Sequence, residues 1–129
     1  MKLFSKNVIV GLLLSIGFSV AQAEGDMVSP KEASVLTAEK QAVIVDVRED
    51  DEWNAGHIAG AVHIPLNQLD ARLPELQSYK ESTIITQCRS GKRSLKALEV
   101  LKSAGFTKVS SMDGGIVAWT KDGLAAQQK

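Results

Sequence analysis

Two apolar runs fix what this chain can fold into: residues 42–47 (AVIVDV) and 83–87 (TIITQ). Both are rich in β-branched residues, and neither alternates cleanly between apolar and polar. Such runs read as strands buried on both faces, which is the habit of parallel sheets. The segments around them carry helical spacing. Ser29 and Pro30 form a cap and first turn for a helix over 31–37. Residues 49–55 read as a short acidic helix closed by Gly56. Leu66, Leu69, Leu73 and Leu76 recur at helical intervals, predicting a helix over 66–76 with Pro74 near its end. The clearest helix spans 92–104. There Leu95, Leu98 and Leu101 form an apolar stripe with Ala97 and Ala104, Gly105 is the cap, and Phe106 folds back. Short strands at 27–28, 61–64 and 108–111 and a last helix at 116–121 complete the pattern. Strands separated by helices predict an α/β fold, a parallel sheet with helices on both faces. Ligands bind such sheets beyond the carboxyl ends of the strands.

Residues 1–23 read as a secretory signal peptide. Lys2 and Lys6 supply positive charge, residues 8–20 are apolar, and Ala21-Gln22-Ala23 has the small-x-small form of a cleavage site. The apolar run is shorter than the roughly 20 residues that span a bilayer comfortably. Cleavage near Ala23 leaves residues 24–129 as a single domain, periplasmic or secreted, with no membrane segment in the mature form. Without Lys2 and Lys6 that segment holds 13 Lys and Arg against 15 Asp and Glu. A net acidic domain does not read as a nucleic-acid binder.

Export to an oxidising compartment makes the lone cysteine, Cys88, informative. It cannot form an internal disulfide, so it reads as reactive or intermolecular. It closes the run at 83–87 and opens the loop C-R-S-G-K-R, residues 88–93. Ser90 and Gly91 let the backbone curl until successive N–H groups face one point. The helix that follows aims its positive end at the same point. Arg89, Lys92, Arg93 and Lys96 add cationic charge. Helix N-termini and neighbouring cations lower a thiol's pKa from its free value of about 8.5. An inert buried cysteine would not be followed by so polar a loop. Cysteine phosphatases and related arsenate reductases use a loop one residue longer, often with His before the Cys. Here Gln87 precedes Cys88, and Ser94 stands where the phosphatase arginine would be.

Several segments together resemble the single-domain rhodaneses, thiosulfate sulfurtransferases. Residues 46–65 (DVREDDEWNAGHIAGAVHIP) are similar to the family's first signature, and residues 88–94 (CRSGKRS) to its active-site loop. Gly105-Phe106 and residues 114–119 (GGIVAW) resemble its closing segments. The resemblance implies a five-stranded parallel sheet between two helical layers. It also implies a double displacement in which Cys88 takes a sulfur from a small anionic donor, holds it as a persulfide, and yields it to cyanide, a thiol or a protein acceptor. Backbone N–H groups of Arg89, Ser90, Gly91, Lys92 and Arg93 would hold the persulfide, and the loop cations would attract the donor. No metal or organic cofactor is implied.

Asp46 and Arg48 read as a charged pair supporting the loops near the site. His57 and His63 read as structural, Trp53 and Trp119 as core anchors, and Glu49 to Glu52 as an acidic helix start. Gly114 and Gly115 imply a tight turn or a close backbone approach. Two other readings compete: a docking module without catalysis, which the presence of both Cys88 and Arg93 argues against, and a relay passing sulfur or redox equivalents to a partner protein.

Overall fold

The structure is a computed structural model that describes residues 26–128; the expected signal peptide lies outside the described residues. Five strands form one parallel sheet: β1 (Met27–Val28), β2 (Ala42–Asp46), β3 (Val62–His63), β4 (Thr83–Gln87) and β5 (Val109–Met112). Their spatial order is β1-β5-β4-β2-β3. The two apolar runs that set the fold class are central neighbours, paired from Ala42 opposite Thr83 to Asp46 opposite Gln87. Successive side chains of β2 and β4 enter different cores, as strand periodicity requires. Val45 and Ile84 pack with Leu69, Leu76, Ala97, Leu98 and Leu101 on one face. Ile44 and Ile85 pack with Ala33, Met112 and Trp119 on the other.

The helices are α1 (Pro30–Ala38), α2 (Asp50–Ala55), α3 (Leu66–Leu69), α4 (Lys92–Ser103) and α5 (Gly115–Lys121), with a 3-10 helix at Leu73–Tyr79. α1 begins as expected: Pro30 opens it, and the Ser29 Oγ accepts the Glu32 N–H at 3.0 Å. α4 closes as expected too, with the N–H groups of Gly105 and Phe106 bonded to the carbonyls of Lys102 and Leu101.

Four expectations need correction. The helix expected over 66–76 is broken into α3 and the 3-10 segment. Pro74 has no N–H for the carbonyl four residues back and its ring crowds that carbonyl, so the α-helix cannot run through. Leu69 and Leu76 are nevertheless both fully buried. The stripe of α4 is Ser94, Ala97, Leu98 and Leu101, while Leu95 is 40% exposed. Leu95 lies about 100° round the helix from Ser94, which takes the inward position. Gly56 follows α2 in extended backbone, with φ of 164°, so it is no left-handed cap. Trp119 is a core residue, but Trp53 is only half-buried and lies between two imidazoles, 3.7 Å from His57 and 4.6 Å from His63, all nearly parallel. Stacking on histidines, rather than aliphatic packing, fixes its ring.

Candidate active site

The carboxyl end of β4 delivers Cys88 to the start of α4. Gly91, the residue before α4, has no side chain to cap the helix and adopts φ of 114°, which favours glycine. The cysteine sulfur takes the capping role. Cys88 Sγ accepts the N–H of Gly91 at 3.1 Å and that of Ser94 at 3.4 Å. The Ser94 hydroxyl lies 3.6 Å from the sulfur, 3.0 Å from the Gly91 carbonyl and 2.8 Å from the Ser111 hydroxyl. Cys88 is 1% exposed. Burial pushes the thiol up, but the Ser94 hydroxyl and the amides of Ser94, Gly91 and Ser90 outweigh it and hold the thiol below its ordinary value.

The loop is turned amide-inward by α5. The Ile116 N–H donates to the Cys88 carbonyl at 2.8 Å, and the Val117 N–H to the Arg89 carbonyl at 3.1 Å. With both carbonyls held away from the sulfur, the N–H groups of Gly91 and Ser94 are left to face it. Gly115 makes this possible. A Cβ there would stand 2.4 Å from the carbonyl oxygens of both Cys88 and Arg89, on a backbone with φ of 61°. The expected close approach therefore falls at Gly115 and determines the loop. Gly115→Ala is expected to cost about 2–3 kcal/mol in urea denaturation and to lower Cys88 reactivity with it. Unchanged stability would mean that α5 can move away without penalty.

The expected support pair is present and buried. Arg48 Nη2 lies 2.8 Å from Asp46 Oδ2, and Asp46 also accepts the Arg48 backbone N–H at 3.0 Å and the Gln87 Nε2 at 2.9 Å. Gln87 thus points at Asp46, across the sheet from the thiol, which packs in the core against α4. Arg48 reaches on to the carbonyls of Glu52 (3.3 Å) and Gly56 (2.8 Å) and so holds both ends of α2. The two histidines also bond backbone: His57 Nδ1 lies 2.9 Å from the Trp53 carbonyl, and His63 Nε2 lies 2.9 Å from that of Arg48.

Three site residues escaped the sequence reading. Glu52 binds Arg93 through both carboxylate oxygens, at 2.7 and 2.9 Å. That pair holds the Glu52 carboxyl down to about 2, whereas the Arg93 guanidinium is raised above its usual value. The acidic helix start is therefore also a contact to the loop. Nothing local in the sequence marks a pairing across 41 positions. Ser94 was legible in principle, as the third residue of the helix after the thiol. Ser111 was not, because its contact depends on β5 lying beside β4. Of the other loop cations, Arg89, Lys92 and Lys96 are exposed, with no ion pair among the described residues. Of the expected amides, that of Gly91 hydrogen-bonds the sulfur at 3.1 Å, and it is joined by that of Ser94, one position beyond the set, whereas those of Arg89, Lys92 and Arg93 make no such bond among the described residues.

The depressed thiol has a direct readout. Alkylation by iodoacetamide should follow the thiolate, with a midpoint below that of a free cysteine. Ser94→Ala removes the leading favourable contact and should move the midpoint up. A midpoint at or above the free value in the native protein would refute this account. Linkage runs in the same direction. Because the native thiol is more acidic than the unfolded one, it adds stability above the unfolded-state value, and that stability is lost as pH falls through the native value.

The profile of the rhodanese-like domain family matches residues 29–122. A Mycobacterium tuberculosis protein named probable adenylyltransferase/sulfurtransferase MoeZ is 35% identical over 100 residues, 77% of this chain and 26% of that protein. The chain thus spans about a quarter of that relative's length. A thiosulfate sulfurtransferase from Pseudomonas aeruginosa superposes with a TM-score of 0.73 at 27% identity, over 80% of this chain and 20% of that one. A rhodanese-related protein from Thermoplasma volcanium superposes with a TM-score of 0.74 at 25% identity, over 81% of this chain and all of the other.

Proposed function

This chain belongs to the rhodanese-like domain family, and from that premise we propose that it is a sulfurtransferase working through a persulfide on Cys88. The observation that carries the reading is the hydrogen-bonded sulfur: two backbone N–H groups and the Ser94 hydroxyl converge on Cys88 Sγ at the carboxyl end of the sheet. The two N–H donors, joined by the Ser94 hydroxyl when it turns from the Gly91 carbonyl, favour thiolate over thiol and are preorganised for negative charge on sulfur.

The reaction is a double displacement. The Cys88 thiolate attacks the outer sulfur of a donor such as thiosulfate. A new S–S bond forms, the donor's S–S bond breaks, and sulfite leaves with the electron pair. In the second half an acceptor, cyanide or a thiol, attacks the outer sulfur of the persulfide and restores the Cys88 thiolate. Covalent catalysis of this kind gives ping-pong kinetics. Ser94 adjusts to both states, since its hydroxyl can donate to the charged sulfur or to the Gly91 carbonyl. We further propose that the enzyme works in the periplasm or outside the cell after removal of residues 1–23, which their charge, apolar run and A-x-A site support.

One measurement tests both statements. Intact mass of protein recovered from the exported fraction should correspond to a chain beginning at Glu24. After reducing pretreatment it should gain one sulfur atom on exposure to thiosulfate and lose it to cyanide. No gain from any sulfane-sulfur donor would overturn the sulfur-transfer reading. A mass that retains residues 1–23 would overturn the proposed processing.

A further inference from the structure

Residues 123–128 lie beyond the segment shared with the family, yet they bind both helices that frame the thiol loop. The chain turns back after α5, with the Leu124 N–H bonded to the Trp119 carbonyl at 3.1 Å. The Ala125 carbonyl then accepts the Trp119 indole N–H at 2.9 Å, which fixes the segment to α5. Two residues on, Gln127 pairs antiparallel with His57. Its N–H donates to the His57 carbonyl at 2.6 Å, and its carbonyl accepts the His57 N–H at 2.7 Å. Gln128 Nε2 adds a bond to the Ala55 carbonyl at 3.2 Å, at the end of α2.

The two helices have little else to hold them together. None of the six residues of α2 is buried, so tethers hold this helix rather than a core face. Among the described residues, no hydrogen bond or ion pair joins α2 directly to α5. A groove of about 330 Å³ lies between them, lined by Glu52 and Ala55 of α2, by Ile116 and Val117 of α5, and by Ala126 and Gln128 of the strap. Each helix also grips the loop. α5 does so through the N–H groups of Ile116 and Val117 on the carbonyls of Cys88 and Arg89, and α2 through Glu52 on Arg93. The spacing of the two helices therefore bears on the shape of the loop around the sulfur.

We propose that residues 123–128 are a positioning segment, bracing α2 against α5 and so keeping the loop amides on Cys88. None of its hydrogen bonds among the described residues reaches the loop, so it acts through the two helices. The turnover part of the test rests on the sulfur-transfer reading; the thiol titration does not.

Full-length variants cut the brace at either anchor. Gln127→Pro deletes the N–H that the His57 carbonyl accepts. Trp119→Phe removes the indole N–H and keeps an aromatic ring in the core. Leu76→Ala lowers the melt through the core without touching the brace. For each, the pH midpoint of Cys88 alkylation by iodoacetamide and the kcat/KM of sulfur loading from thiosulfate are measured well below the melt. Both brace variants are expected to raise the midpoint and to lower kcat/KM about tenfold, more through kcat than KM, as displacement of a preorganised site implies. Leu76→Ala is expected to keep the native midpoint. If the strap only adds stability, the brace variants melt earlier but keep the native midpoint and kcat/KM, and the proposal is overturned. Should Gln127→Pro fail to fold, Trp119→Phe decides by the same readouts. If the native protein takes up no sulfur from any sulfane donor, the sulfur-transfer reading falls, and the alkylation midpoints alone decide the role of the strap.

Discussion

Cys88→Ser is expected to abolish sulfur turnover, by at least about a thousandfold, with the fold preserved. Loss of a covalent nucleophile commonly has an effect of this order or larger. No other group can take over, because the chain has no second cysteine. Serine is close in size, and its oxygen can accept the Gly91 and Ser94 N–H groups that now point at the sulfur. Stability should therefore change by only about 1 kcal/mol. The measurement is intact mass after thiosulfate or glutathione persulfide, beside a thermal melt. Sulfur uptake by the serine variant would remove Cys88 from the reaction. An inactive variant that is also unfolded would leave the assignment to Cys88→Ala, for which the same loss of uptake is expected.

The second large effect is on stability. Asp46→Ala is expected to cost about 3–5 kcal/mol, the usual result of removing one partner from a buried ion pair. Asp46 is fully buried and Arg48 is 5% exposed. The carboxylate accepts from the Arg48 backbone N–H, from its Nε and Nη2, and from Gln87 Nε2. Its loss leaves the buried guanidinium with two carbonyl partners but no counter-charge, and the Gln87 amide without its acceptor. Small domains are stable by only about 5–15 kcal/mol, so urea denaturation should show the loss plainly. Activity should fall as well, because Arg48 holds the carbonyls of Glu52 and Gly56 and through them the placement of α2 beside the loop. A cost below about 1 kcal/mol would show that Arg48 finds other partners or reaches water.

The residue pattern carried a good part of this fold. The runs at 42–47 and 83–87 are the central strands, because a β-branched run without polar alternation has nowhere to lie except between two layers. The closure of α4 by Gly105 and Phe106 was readable because capping is local. So was the position of Cys88 at a strand end, before a helix whose amides reach back to it. Features that depend on two distant segments were not readable. Leu95 fits a leucine stripe in the sequence, yet the sheet meets α4 along Ser94, Ala97, Leu98 and Leu101. The leucine spacing at 66–76 marked the burial of Leu69 and Leu76, but Pro74 broke the helix that joined them.

The site divides along the same line. The sequence by itself determined the thiol, its loop and the helix behind it, because these are neighbours in the chain and their geometry follows from short-range backbone preferences. Tertiary structure decided the rest. It brought Glu52 onto Arg93, aligned Ser111 with Ser94, and set Gly115 against the carbonyls of Cys88 and Arg89. Each of these joins segments far apart in sequence, and such contacts exist only once the strands have paired in order and the helices have packed on them. The pairing of Glu52 with Arg93 therefore belongs to the fold, although both residues are written in the chain.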